Sequence, residues 1–163
     1  MALSVSCTSS RPHNHKKLRG PHSPRSFLGV KMPQFGARSL EALEYVEPRL
    51  RLVLDEAIRF WDFSVLEGFR GPERQDELFT QGATKVRWPN SAHNSLPSRA
   101  VDIAPYPIDW EDTERFVQLA GAILTIARQF GIELRWGGDW DRDGRMSDER
   151  FRDLVHFEMT GES

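Results

Sequence analysis

His93, Asp102 and His156 are the residues whose types and settings best suit chemistry. Of the five histidines, only His93 and His156 lie beyond residue 31. His93 falls in a polar loop, and Asp102 follows inside the apolar stretch AVDIA. His156 occupies a second such stretch, VHFEM. A carboxylate between Val101 and Ile103 is costly to bury unless it is paired or bound to a metal. Two imidazoles and one carboxylate make a zinc site with an open fourth position, the arrangement catalytic zinc needs. Hydrolysis at such a site also needs a proton carrier. Asp153, three residues before His156, is one candidate; Glu158 is the other, because strand alternation puts it on the face of His156. Spacing alone leaves both open. Arg70, in LEGFRGPERQ, is a candidate partner for a developing oxyanion. Further on, Asp139, Asp141, Asp143 and Gly144 read D-x-D-x-D-G, the opening of a calcium loop. The twelfth position of that loop is Arg150 rather than a bidentate Glu, and no flanking helix pair is evident. Trp88 and Trp140 flank the proposed site in loops and are candidates to line a groove, whereas Trp61 reads as core.

These residues need elements to position them. Ser39 is the expected cap of a helical run through Leu40, Leu43, Val46, Leu50, Val53, Leu54, Ala57, Ile58 and Trp61, which Pro48 should kink or divide. Phe63, Val65 and Leu66 predict a short strand closed by Gly68. Pro72 to Gln81 predicts a helix ended by Gly82. Residues 83–99, with Pro89, Asn90, Asn94, Pro97 and Ser98, read as a loop. Ala100 to Ala104 predicts a buried strand. Asp112 is the expected cap of a helix through about Phe130, its apolar stripe formed by Phe116, Leu119, Ala120, Ile123, Leu124, Ile126 and Ala127. Ile132–Trp136 and Val155–Met159 predict two more strands. Helices and strands interspersed without a βαβ period or a Gly-rich phosphate loop indicate an α+β fold.

The 163 residues suit one domain with a real core, and a single cysteine excludes a disulfide framework or a Cys-cluster zinc site. No apolar run approaches the roughly 20 residues that cross a bilayer. The formal net charge of −2 conceals an asymmetry. Residues 1–31 carry Arg11, Lys16, Lys17, Arg19, Arg25 and Lys31 and no acid, so the remainder is strongly acidic. An acidic body argues against nucleic-acid binding. Residues 1–31 are expected to be a disordered basic extension, either a transit-like segment or a leader before an alternative start at Met32, and residues 32–163 the catalytic domain. No convincing signal peptide is present. A monomer made in the cytoplasm is the expectation.

The segments SAHNSLPSRAVDIAPYP, WGGDW and DLVHFEM, in this order, resemble the zinc peptidases of peptidoglycan: the D-Ala-D-Ala carboxypeptidases and dipeptidases and the phage L-alanyl-D-glutamate endopeptidases. The family pattern is SxHxxGxAxD followed by acid-x-x-His, and the resemblance covers about residues 33–160. The phage endolysin branch, which often carries Asp-x-x-His, is the most similar. The resemblance implies a small, mainly antiparallel sheet packed with helices, the zinc fold shared with the hedgehog signalling domain. It implies Zn2+ held by His93, Asp102 and His156, and Asp153 as general base and acid. It also implies Arg70 at the oxyanion and Ser91 against the substrate, a peptidoglycan stem peptide. The His-to-Asp separation is two residues longer than is usual there, and Pro97-Ser98 stands where a Gly is common. The expected activity is L-alanyl-D-glutamate endopeptidase, with D-alanyl-D-alanine carboxypeptidase or a silent zinc-binding module as alternatives. Some phage relatives respond to calcium, in line with a Ca2+ site at Asp139, Asp141 and Asp143.

Overall fold

A computed structural model describes residues 32–161; the extension expected over residues 1–31 lies outside the described residues. Pro48 divides the first helical run as expected. Helix α1 spans Ala37–Ala42 and α2 spans Pro48–Ala57, with Pro48 in the first turn of α2. The cap of α2 is Glu47, whose carboxylate accepts the Arg49 and Leu50 N–H groups at 2.7 and 3.0 Å. Ser39 is not a cap. It lies within α1, buried, and its hydroxyl accepts the Val65 N–H at 3.0 Å, which ties α1 to the first strand.

Strand β1 is Phe63–Glu67, α3 is Pro72–Thr80, and a 3-10 turn covers Ala92–Asn94 inside the long loop. Strand β2 is Ala100–Pro105, α4 is Thr113–Gln129, β3 is Leu134–Trp136 and β4 is His156–Met159. Asp112 caps α4 by accepting the Arg115 N–H, as expected from its type and place. The four strands form one antiparallel sheet in the order β1-β2-β4-β3. One face of the sheet and the packed pair α2 and α4 enclose the core. Leu50, Val53, Leu54 and Ala57 of α2 meet Leu119, Ala120, Ile123 and Ala127 of α4, with Val65, Val101, Ile103 and Phe157 from the strands. Trp61 packs partly buried against this core.

The sheet registers decide which side chains meet. Asp102 on β2 stands directly across from His156 on β4, and Arg135 on β3 across from Glu158 on β4. The β1–β2 register shifts between Val65 and Glu67, so Glu67 also pairs with Asp102. Such an irregularity re-aims a side chain, and here it sets Glu67 beside Arg70.

Candidate metal centre and cleft

Three donor atoms converge over the two central strands, Asp102 from β2, His156 from β4 and His93 from the 3-10 turn. His93 Nε2 lies 3.2 Å from Asp102 Oδ1 and 3.2 Å from His156 Nδ1, and His156 Nδ1 lies 3.1 Å from Asp102 Oδ1. Ligands about 2.0–2.1 Å from a tetrahedral centre stand about 3.3–3.4 Å apart, so the triangle has the size that such an ion requires. Both histidines are buried, and Asp102 is nearly so. The remaining ring nitrogens fix the tautomers. A carbonyl can only accept, so His93 Nδ1 donates to Gly68 O at 2.7 Å and turns its Nε2 lone pair inward. His156 Nε2 contacts Glu158 Oε2 at 3.2 Å, which leaves Nδ1 to face the other two donors. Partners of this kind orient metal-binding imidazoles and raise their basicity. The donor set, its spacing and its surrounding hydrogen bonds fit a divalent transition metal.

Each ligand owes its place to a local device. Ser91 caps the 3-10 turn: its hydroxyl accepts the His93 N–H at 3.3 Å, while Asn94 Oδ1 accepts the Ser91 N–H at 3.0 Å. Asn94 Nδ2 donates to Arg70 O and to Gln75 Oε1, and Gln75 Nε2 to Val86 O at 2.6 Å. Gln75 is fully buried, so this network clamps the long loop to the start of α3. The longer His93-to-Asp102 connection still leaves His93 Nε2 3.2 Å from Asp102 Oδ1.

Arg70 is buried, and its guanidinium donates to Glu67 Oε2 at 2.6 and 3.0 Å, to Asp102 Oδ2 at 3.2 Å and to Gln75 Oε1 at 3.3 Å. It therefore holds the second oxygen of Asp102 while the first faces the histidines. Burial works to raise the Asp102 pKa, but its contacts with the His156 and His93 rings outweigh burial and hold the carboxyl far below its ordinary range. For His156, burial lowers the pKa, but the bonds to Asp102 and Glu158 outweigh burial and raise it to about 9 in the metal-free site.

Asp153 and Glu158, the two candidate proton carriers, are differently engaged. Glu158 contacts His156 and accepts from the Nε and NH2 groups of Arg135, and these bonds overcome burial to lower its pKa to about 2. Asp153 is half-buried and faces the cleft. Burial and the neighbouring Asp102 charge raise its pKa, which suits a group that takes up and releases a proton. Its backbone is fixed by Gly137: Asp153 N–H donates to Gly137 O at 2.7 Å, and Gly137 N–H to His156 O at 2.9 Å. A Cβ on Gly137 would lie 2.3 Å from Asp153 O, and one on Gly138 would lie 2.4 Å from the Trp136 ring. The two glycines of WGGDW let the chain approach this closely.

The cleft around these groups has a volume of about 580 Å³, and Ser91, Trp140, Phe151 and Lys85 also line it. That is the size of pocket that takes a short peptide or other small ligand. Trp140 leans on the His156 ring at 5.6 Å between centroids. Trp88, the other aromatic expected at a groove, is not among the lining residues. No residue pattern marked a site role for Gly68, which contributes only a carbonyl, or for Glu67 and Arg135, whose roles arise from register.

The acidic loop forms a second cluster. Oxygen atoms of Asp139, Asp141 and Glu149 lie within 4.8 Å of one another, as do those of Asp141, Asp143 and Asp148. Asp139 Oδ1 is buried and lacks a hydrogen-bond partner. Glu149 Oε1 accepts the Trp140 N–H at 2.6 Å.

Residues 32–160 match the family model described as phage L-alanyl-D-glutamate peptidase. The chain is 31% identical over 121 residues to the L-alanyl-D-glutamate peptidase of Escherichia phage T5, covering 71% of this chain and 88% of that protein. It is 31% identical over 113 residues to the peptidoglycan L-alanyl-D-glutamate endopeptidase CwlK of Bacillus subtilis, covering 60% of each. The crystal structure of the Serratia marcescens L-Ala D-Glu endopeptidase ChiX superposes with a TM-score of 0.65 at 33% identity, over 82% of this chain and 94% of that one.

Proposed function

The chain belongs to the phage L-alanyl-D-glutamate peptidase family, and we propose that it is a zinc endopeptidase that cleaves the L-alanyl-D-glutamate bond of peptidoglycan stem peptides. The observation that carries this reading is the triangle of His93 Nε2, Asp102 Oδ1 and His156 Nδ1, set in a peptide-sized cleft that Asp153 also lines. In it, His93, Asp102 and His156 hold the ion. When bound, zinc supplies Lewis acidity and brings a water's pKa toward neutrality. Asp153 takes the proton of the attacking water and returns it to the leaving amine, a transfer that suits a carboxylate of raised pKa. Arg70 holds Asp102 in orientation, and since it also lines the cleft its role at the developing oxyanion is part of the same proposal. Ser91 fixes the turn that carries His93 and lines the peptide groove. The matched proteins are named for the L-alanyl-D-glutamate bond, which favours this reading over D-alanyl-D-alanine carboxypeptidase activity.

Mass spectrometry of fragments released from purified peptidoglycan, with zinc and with a chelator, tests the assignment. New glutamate amino termini that vanish with the chelator are expected; release of terminal D-alanine instead would overturn it. A Ca2+ ion at Asp139, Asp141 and Asp143, with Glu149 turned toward it, is part of the same reading. The partnerless Asp139 oxygen supports it. Calorimetric titration of zinc-loaded protein with calcium should give a saturable heat; a flat titration removes that site.

A further inference from the structure

A glutamate within a peptide uses one of its two carboxyls in the chain and keeps the other free. A peptidase that cuts on the amino side of D-glutamate therefore meets a carboxylate a few bonds from the scissile nitrogen. The cleft is poorly suited to that charge over most of its lining. Glu67, Asp102, Asp153 and Glu158 all line it. Two of the lining cations are already committed, Arg70 to Glu67 and Asp102, and Arg135 to Glu158. Among the described residues that line the cleft, Lys85 is the cation with no carboxylate partner.

Lys85 is exposed, yet its ammonium is placed. Its Nζ lies 4.9 Å from the centroid of the Phe151 ring. Phe151 stacks on Trp140 with centroids 6.2 Å apart, and Trp140 leans on His156. An aromatic wall thus runs from the metal centre to Lys85. A ring face attracts a cation without neutralising it, so the charge remains available to a ligand anion. We propose that Lys85 is a specificity-determining residue that pairs with the free carboxylate of the substrate glutamate. The inference rests on the endopeptidase reading and deepens it.

The test uses the full, metal-loaded chain and two synthetic stem peptides that differ only in this group, one with the free carboxylate and one with the carboxamide. An exposed ion pair is worth up to about fivefold. Wild type should cleave the acid about fivefold better in kcat/KM, and the preference should shrink as salt rises. K85Q should bring the ratio of the two peptides to about one, and K85R should retain the preference. A wild-type ratio of one, or a preference that survives in K85Q, overturns the inference while leaving the endopeptidase assignment standing. Cleavage of neither peptide removes both.

Discussion

Asp153 and Glu158 are both carboxylates within three residues of His156, and the difference between them is one of engagement. Glu158 is bonded to His156 and Arg135, so its charge orients a ligand; Asp153 faces the cleft with a raised pKa. Their amide variants should therefore fail differently. Asp153→Asn should keep metal binding and lose about 10²–10⁴ in kcat, the usual contribution of a positioned acid–base; a near-normal rate would remove Asp153 from the reaction. Glu158→Gln should instead weaken metal affinity about 10–100-fold, as loss of a ligand's orienting partner does. Competition against a chromophoric chelator measures this, and an unchanged affinity would contradict the role given to Glu158.

At the level of elements, the centre depends on strand register and on close backbone approach. The β2–β4 register sets Asp102 opposite His156, and the segment from Gly137 docks the Asp153 turn against β4. Gly137→Ala has to move backbone, because its Cβ would meet a carbonyl rather than the end of a flexible side chain. We expect it to lose most activity and to cost about 1–3 kcal/mol of stability, the typical penalty of overpacking. Chemical denaturation beside a rate assay checks both, and a variant with normal rate and midpoint would refute this account of the motif. Gly68 is similarly crowded, since a Cβ there would lie 2.1 Å from Ala42 O, and the Gly68 carbonyl is the one that orients His93.

For the whole molecule, the metal-free and metal-bound states should respond oppositely to pH. His156 in the metal-free fold has its pKa raised from 6.5 to about 9. A raised pKa contributes stability that is fully present below 6.5 and is lost as pH rises through about 9. A metal needs the unprotonated ring, so its affinity increases across the same interval. Thermal melts of chelator-treated protein should therefore fall from pH 6.5 to 9, while the gain on adding zinc should grow. A metal-free melting temperature that rises over that interval would contradict the His156 environment described above. Residues 32–163 are acidic overall, and among the described residues no helix is long and apolar enough to cross a membrane.

Much of the arrangement was legible in the residues themselves. Apolar periodicity located α2 and α4, Pro48 divided the first helical run, and Asp102 stood out because an acid inside an apolar strand requires a partner. The order of the motifs carried the family. Those are local properties, expressed within one turn or one strand. Ser39 was misread as a cap because its partner, the Val65 N–H, is distant in sequence. The roles of Glu67, Arg135 and the Gly68 carbonyl depended on a shifted strand register, a cross-strand pairing and a buried loop contact. Sequence set which groups were available near the centre; only the packed sheet decided which carboxylate orients His156 and which faces the cleft, because that choice is made by neighbours from other strands.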